Sequence, residues 1–326
     1  MRPCVLLWTP LGGQRAALAD GLRSLHIDLI EAGDEAAAIA ALERADAALL
    51  AGVASGYTAA LAAAVRRAPR LRFVQLTATG TEGIERHGVP PYVVVASVGP
   101  TMAAVVAEHA LALMLALVRR IPEAAMQGSR GVWNRPAVLA GLGSLEGKTL
   151  CLVGFGRIGK EIARRAHPFG MACIAVNRSG RNDAPELADP VFPVGRLPEA
   201  LGRSDVLAIS LPDAPDTRRL FDAPQWAACR PGALVVNVGR GSVIHTDALV
   251  AALASGHIAG AGLDVTEPEP LPEGHPLWSA RGALITPHVA GGGSPKSLQR
   301  LTALIAENLS RFAAGRPVLH LLEDRG

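Results

Sequence analysis

At 326 residues, 49% hydrophobic and 19% charged, the chain can bury two packed domains and is too apolar to be disordered. Its net charge of +3, with no long run of Lys or Arg, excludes the electrostatic footprint of a nucleic-acid binder. Cys4, Cys151, Cys173 and Cys229 are scattered, form no C-x-x-C pair, and read as small buried side chains in a reducing compartment.

The chain enters an apolar run at Val5 with no long apolar core ahead of a small-residue cleavage site, so no signal peptide is expected and the cytoplasm is the expected location. Residues 5–8, 26–30, 47–51 and 73–76 predict buried strands, with helices over 14–23, 35–44 and 59–67 between them. This alternation predicts a parallel sheet with helices on both faces. A strand at 93–95 precedes a long helix from about 101 to 119. Its apolar stretch, 103–118, falls short of a membrane span and is interrupted by Glu108 and His109, so a buried helix is expected. Residues 122–147, rich in Gly and Pro, are expected to be irregular.

A second alternation starts at Lys148. Strands are predicted at 149–153, 172–176, 206–210, 234–237, 261–264 and 283–286, with helices between them, one over 246–255. The proline-rich stretch 266–276 cannot be regular, and a last helix runs over 294–314. That helix is expected to return to the first domain. The fold class is therefore α/β, with two doubly wound parallel-sheet domains. The expected division is 1–98 plus 291–326 for one, which is discontinuous, and 99–290 for the other, with ligands bound in a cleft beyond the strand ends.

Directly after the 149–153 strand comes Gly154-Phe155-Gly156-Arg157-Ile158-Gly159, opening an amphipathic helix. Gly154 permits a tight turn, Gly156 lets a pyrophosphate approach the backbone, and Gly159 lets the helix pack on the strand. The helix N-terminus offers N–H groups to phosphate. This is a dinucleotide site. In such a fold the end of the second strand meets the adenine ribose, and here Asn177-Arg178-Ser179 stands without a carboxylate until Asp183. The Arg178 guanidinium suits a 2′-phosphate, so NADP(H) is the expected cofactor and NAD(H) a possible one.

Three polar residues follow later strand ends: Arg240 after 234–237, Glu267 and Glu269 beyond 261–264, and His288 after 283–286. Arginine can clamp a carboxylate, histidine can protonate a carbonyl oxygen, and a carboxylate on the other ring nitrogen orients the imidazole.

Together these segments resemble the D-isomer-specific 2-hydroxyacid dehydrogenase family over nearly the whole chain. The resemblance rests on Val106-Ala107-Glu108-His109-Ala110, the glycine motif, Ser210-Leu211-Pro212, Val236-Asn237-Val238-Gly239-Arg240-Gly241, Gly262-Leu263-Asp264-Val265, Glu269-Pro270 and Thr286-Pro287-His288. The Asn177-Arg178-Ser179 turn is most similar to that of the glyoxylate and hydroxypyruvate reductases. The resemblance implies a Rossmann domain beside a flavodoxin-like substrate domain. It implies reduction of a small 2-oxoacid to the D-2-hydroxyacid, with Arg240 binding substrate, His288 as acid/base and Glu269 supporting it. Arg157, Ile158, Leu211, Pro212, Thr217, Val238, Gly239, Asp264 and Gly291 would contact the cofactor, with Asp264 on the carboxamide. Amides around Thr79 and Gly80 would hold the substrate carboxylate, and Trp133 would line the pocket or pack. A homodimer is implied, through helices such as 101–119; no metal, nucleic acid or membrane partner is expected. Ser97 and Thr266 depart from the family's usual asparagine and phenylalanine. A phosphite- or formate-oxidising enzyme on the same scaffold is the first rival, although Glu269 stands where formate enzymes carry glutamine. A non-catalytic dinucleotide-sensing corepressor is the second.

Overall fold

Apolar runs in the first hundred residues form five strands, β1 (Cys4–Trp8), β2 (Asp28–Glu31), β3 (Ala47–Leu50), β4 (Phe73–Leu76) and β5 (Val94–Ala96). The computed structural model describes residues 2–322. The five strands make one parallel sheet in the order β2-β1-β3-β4-β5, the flavodoxin-like arrangement. Between them run α1 (Gly12–Leu22), α2 (Glu35–Ala41), α3 (Ala59–Arg67) and α4 (Glu82–His87). Asp34 starts α2 by accepting from the Ala37 N–H, and Thr58 starts α3 by accepting from that of Leu61. Successive residues of one strand face opposite layers: Leu6 packs with Leu42 and Leu61, and its neighbour Leu7 with Leu18 and Leu22.

The second unit opens with α5 (Ala103–Val118), α6 (Ile121–Ser129) and α7 (Arg135–Leu139). Then follow β6 (Thr149–Val153), α8 (Arg157–Ala166), β7 (Ala172–Asn177), β8 (Val191–Pro193), α9 (Leu197–Gly202) and β9 (Val206–Ile209). The unit ends with α10 (Ala223–Ala228), β10 (Ala233–Asn237), α11 (Thr246–Ala254), β11 (Ile258–Leu263) and β12 (Ala283–Ile285). Its seven strands are all parallel, in the order β12-β11-β10-β9-β6-β7-β8. The order reverses between β6 and β9, the Rossmann switch point. α5 and α8 cover one face through Val106, Met114 and Ile162. α9, α10 and α11 cover the other through Leu201, Trp226 and Leu249.

The last helix, α12 (Pro295–Ala313), belongs to the first unit, which comprises the chain up to Met102 and from Ser294 onward; the second is Ala103–Gly293. Leu301, Ile305 and Leu309 join Val5, Leu7 and Phe73 in its core. A buried polar link fixes the return. Asn308 donates to Gln75 Oε1 at 2.7 Å and to the Leu319 carbonyl at 3.1 Å, and its own Oδ1 accepts from the Leu319 N–H at 2.7 Å.

The stretch 122–147 is irregular only in part: it holds α6 and α7. Pro122 and Pro136 sit in the first turn of each, where the missing N–H costs nothing and the fixed φ favours a helix. Two short elements, α4 and β8, carry no clear signal in the sequence. β8 ends at Pro193 on the sheet edge, where proline removes no ladder bond. α5 buries Val106, Ala107, Ala110, Met114 and Val118 within its own unit. All four cysteines are buried. Desolvation pushes the Cys151 and Cys229 thiols up to about 12 and Cys173 to about 11. Among the described residues no helix is long and apolar enough to cross a membrane.

Candidate active site

Seven parallel strands put seven carboxyl ends on one edge of the second unit, and the predicted residues follow six of them. Gly154 follows β6, Asn177 ends β7 and Arg178 follows it, Leu211 and Pro212 follow β9, Val238 to Arg240 follow β10, Asp264 follows β11 and His288 follows β12.

The glycine turn fits a dinucleotide by three separate measures. Gly154 has φ +101°, a backbone that favours glycine. A Cβ on Gly159 would lie 2.1 Å from the Gly154 carbonyl oxygen, so α8 packs on β6 only because that carbon is missing. A Cβ on Gly156, by contrast, would meet nothing within 4 Å. Protein packing therefore does not demand glycine there; a ligand approaching the backbone would. No side chain caps α8, whose first-turn amides and positive dipole end face the same place.

At the ribose end, Asn177 Oδ1 accepts from the Ser179 and Gly180 N–H groups at 3.1 and 2.6 Å, shaping the turn. Arg178 projects from it 84% exposed and pairs with Asp216 at 3.1 Å, a partner that sequence inspection missed. Thr217 lies close by, but its hydroxyl is used locally, accepting from the Ala214 N–H at 2.9 Å and lying 2.7 Å from the Pro212 carbonyl. Val238 and Gly239 are buried, Ile158 and Leu211 are half-buried, and Arg157, Pro212 and Gly291 are exposed.

Asn237, fully buried at the end of β10, donates to the Arg240 carbonyl at 2.9 Å and accepts from the Gly239 N–H at 3.0 Å. This holds the turn that carries Arg240. A Cβ on Gly241 would lie 1.9 Å from the Thr266 carbonyl oxygen, so the arginine turn and the glutamate loop touch backbone to backbone.

Of the two glutamates, Glu269 meets the imidazole, its Oε1 2.5 Å from His288 Nδ1. Glu267 is exposed and contributes its carbonyl to the Thr246 hydroxyl. The bond from Glu269 raises the His288 pKa above that of an ordinary imidazole. Desolvation and the nearby Arg240 charge oppose this; the charges of Glu269 and Asp264 add to it. With Nδ1 engaged by Glu269, Nε2 is the nitrogen left to meet a substrate oxygen.

His288 has φ +52°, a left-handed conformation costing about 1 kcal/mol or more. Asp264 enforces it. Its carbonyl accepts from the His288 N–H at 2.8 Å, and its carboxylate accepts from Val289 and Ala290 N–H, each at 2.9 Å. The side chain is thus largely committed to bracing the histidine loop. Thr286 also donates to it at 2.7 Å, and His109 lies 2.9 Å from the Thr286 hydroxyl. Neither Thr286 nor His109 has a role legible in the sequence; the available signal is a polar ring interrupting the apolar α5.

Thr79 and Gly80 belong to the first unit, in the loop after β4. Thr79 is exposed and Gly80 buried, its carbonyl packed against Gly52. Trp133 is 93% exposed.

Residues 111–290 match the family model for the NAD-binding domain of D-isomer specific 2-hydroxyacid dehydrogenases. The chain belongs to this family. A glyoxylate reductase from Aeropyrum pernix is 36% identical over 261 residues, covering 77% of this chain and 76% of that protein. A solved protein from Thermus thermophilus superposes with TM-score 0.81 at 32% identity, covering 98% of this chain and all of that one. A D-isomer specific 2-hydroxyacid dehydrogenase from Xanthobacter autotrophicus, solved with NADPH and MES, superposes with TM-score 0.79 at 27% identity, covering 100% of this chain and 99% of that one. As a member of this family the chain is an oxidoreductase with a nicotinamide dinucleotide as its cofactor.

Proposed function

We propose that the protein reduces a small 2-oxoacid of the glyoxylate or hydroxypyruvate type to the D-2-hydroxyacid, with NADPH preferred over NADH. The observation that carries this reading is the Glu269–His288 pair at 2.5 Å, with the Arg240 charge felt at the ring. The nicotinamide, when bound, supplies hydride to the substrate carbon. Arg240 holds the substrate carboxylate and polarises the adjacent carbonyl. His288, whose protonated form Glu269 favours, delivers its Nε2 proton to the carbonyl oxygen as negative charge develops there. Glu269 holds Nδ1–H, so the ring presents Nε2 to the substrate. The glycine turn and the α8 N-terminus hold the pyrophosphate, and Arg178 takes the 2′-phosphate in exchange for its exposed pairing with Asp216.

The same reading includes a homodimer. Ile121, Met126, Val132, Trp133 and Leu139 lie exposed along 121–139, a density of apolar side chains that favours covering by a second copy.

A panel of glyoxylate, hydroxypyruvate, pyruvate, formate and phosphite, followed at the nicotinamide absorbance band, tests the substrate class. Turnover confined to formate or phosphite, or binding of NADPH with no turnover on any member, would overturn it. His288→Ala is expected to cut turnover about 100-fold or more with cofactor affinity retained.

A further inference from the structure

We infer that His109 is a positioning residue for the reaction, acting through Thr286 and Asp264 on the backbone that carries His288. This rests on the acid/base reading of His288 given above.

The inference follows from counting protons. Thr286 has one hydroxyl proton, and the 2.7 Å contact to Asp264 Oδ1 uses it, because an ionised carboxylate can only accept. At 2.9 Å from that hydroxyl, His109 Nε2 must therefore carry a hydrogen and donate it. The relay reads His109 Nε2–H to Thr286 Oγ1–H to Asp264 Oδ1. Nε2 also lies 3.4 Å from Oδ1 directly. The far end of the relay grips consecutive residues, with Val289 and Ala290 N–H on the Asp264 carboxylate and His288 N–H on its carbonyl.

Topology shows why such a tie is needed. β12 is three residues long, sits at the sheet edge and, among the described residues, pairs only with β11. The loop leaving it must hold His288 at φ +52° with no strand on its outer side. α5 is anchored in the core, with Ala107, Ala110 and Met114 fully buried. His109 fastens the loop to it. Without that bond, Thr286 and the Asp264 carboxylate can rotate, and the imidazole drifts from the position its proton transfer requires. A misplacement of about 1 Å can cost about 100-fold in rate; loss of one contact in a braced network is placed at about 10-fold.

The test compares the full-length wild type with His109→Leu, His109→Gln, Thr286→Val and His288→Ala. Kinetics are measured with the 2-oxoacid it reduces fastest, and the histidine tautomer is read from long-range 1H–15N imidazole spectra. His109→Leu is expected to lower kcat about 10-fold with KM for both substrates within about 2-fold, since binding groups are untouched. His109→Gln, whose amide nitrogen reaches the Nε2 position, should restore kcat to within about 3-fold, a rescue that loss of packing alone would not show. Thr286→Val should match His109→Leu, and the pair combined should lose no more than either alone. The His109 ring should be protonated on Nε2. Wild-type kcat in His109→Leu, a Gln variant as poor as Leu, or a ring protonated on Nδ1 alone would each overturn the inference. If His109→Leu does not fold, Thr286→Val and the ring spectrum decide. Full activity in His288→Ala would instead remove the parent reading, whereas an inactive His288→Ala beside a fully active His109→Leu removes only this one.

Discussion

Gly156 and Gly159 lie three residues apart in one motif, yet the structure assigns them opposite sensitivities. At Gly159 an added Cβ would sit 2.1 Å from the Gly154 carbonyl oxygen, a backbone atom that cannot swing aside, so α8 or the turn must retreat by about an ångström. Overpacking of this kind costs about 1–3 kcal/mol. For a unit of this size that lowers the melting temperature by about 2–12 °C. At Gly156 the backbone has φ −87° and ψ −158°, extended and open to any residue, and the added methyl meets nothing. Lower unfolded-state entropy gains about 0.4–1 kcal/mol, while alanine is the poorer N-cap by about 0.5–1 kcal/mol. The two nearly cancel, so Gly156→Ala should melt within about 2 °C of wild type. What it should lose is the pyrophosphate. A hydrogen bond to a charged group is worth about 1.5–3 kcal/mol, so the NADPH Kd should rise about 10- to 150-fold. Melting of the ligand-free protein by circular dichroism and NADPH titration by calorimetry give both numbers. A Gly156→Ala protein that melts several degrees low yet binds NADPH normally would refute the assignment, as would a Gly159→Ala protein as stable as the parent.

Other expectations follow from single contacts. Reduction consumes the protonated form of His288, so its kcat/KM should be flat on the acid side and fall as pH rises through the His288 pKa. Because Glu269 is the first cause raising that pKa, Glu269→Gln should move the fall to lower pH; an unmoved limb in the pH–rate profile would contradict the pairing. Arg178→Ala should weaken NADPH about 10-fold or more and leave NADH nearly unchanged, measured as the ratio of catalytic efficiencies with the two cofactors. Asn308→Leu strands the Gln75 and Leu319 polar groups at about 1–3 kcal/mol each. It should lower the melting temperature while the NADPH Kd stays constant, because the link lies wholly in the first unit.

Local chemistry was enough to read most strands and the dinucleotide turn from the linear chain. A short apolar run such as residues 47–50, set between two helical patterns, reads as a buried strand, and three glycines after such a strand define a turn that few other structures use. Prolines misled at 122 and 136, because a breaker inside a helix is a starter in its first turn. The candidate site was legible as residue types following strand ends, since a parallel sheet sends every such end to one edge. The resemblance singled out Glu269 over Glu267 as the partner of His288; what waited for the tertiary structure was other pairing: that Asp216 meets Arg178, and that Asn308 of the returning α12 bonds Gln75 of β4. His109 and Thr286 stand 177 positions apart, and Asn308 and Gln75 233. No local propensity or spacing encodes a contact at such separation. Only the sheet order and the packing of helices on it bring those atoms within a hydrogen bond.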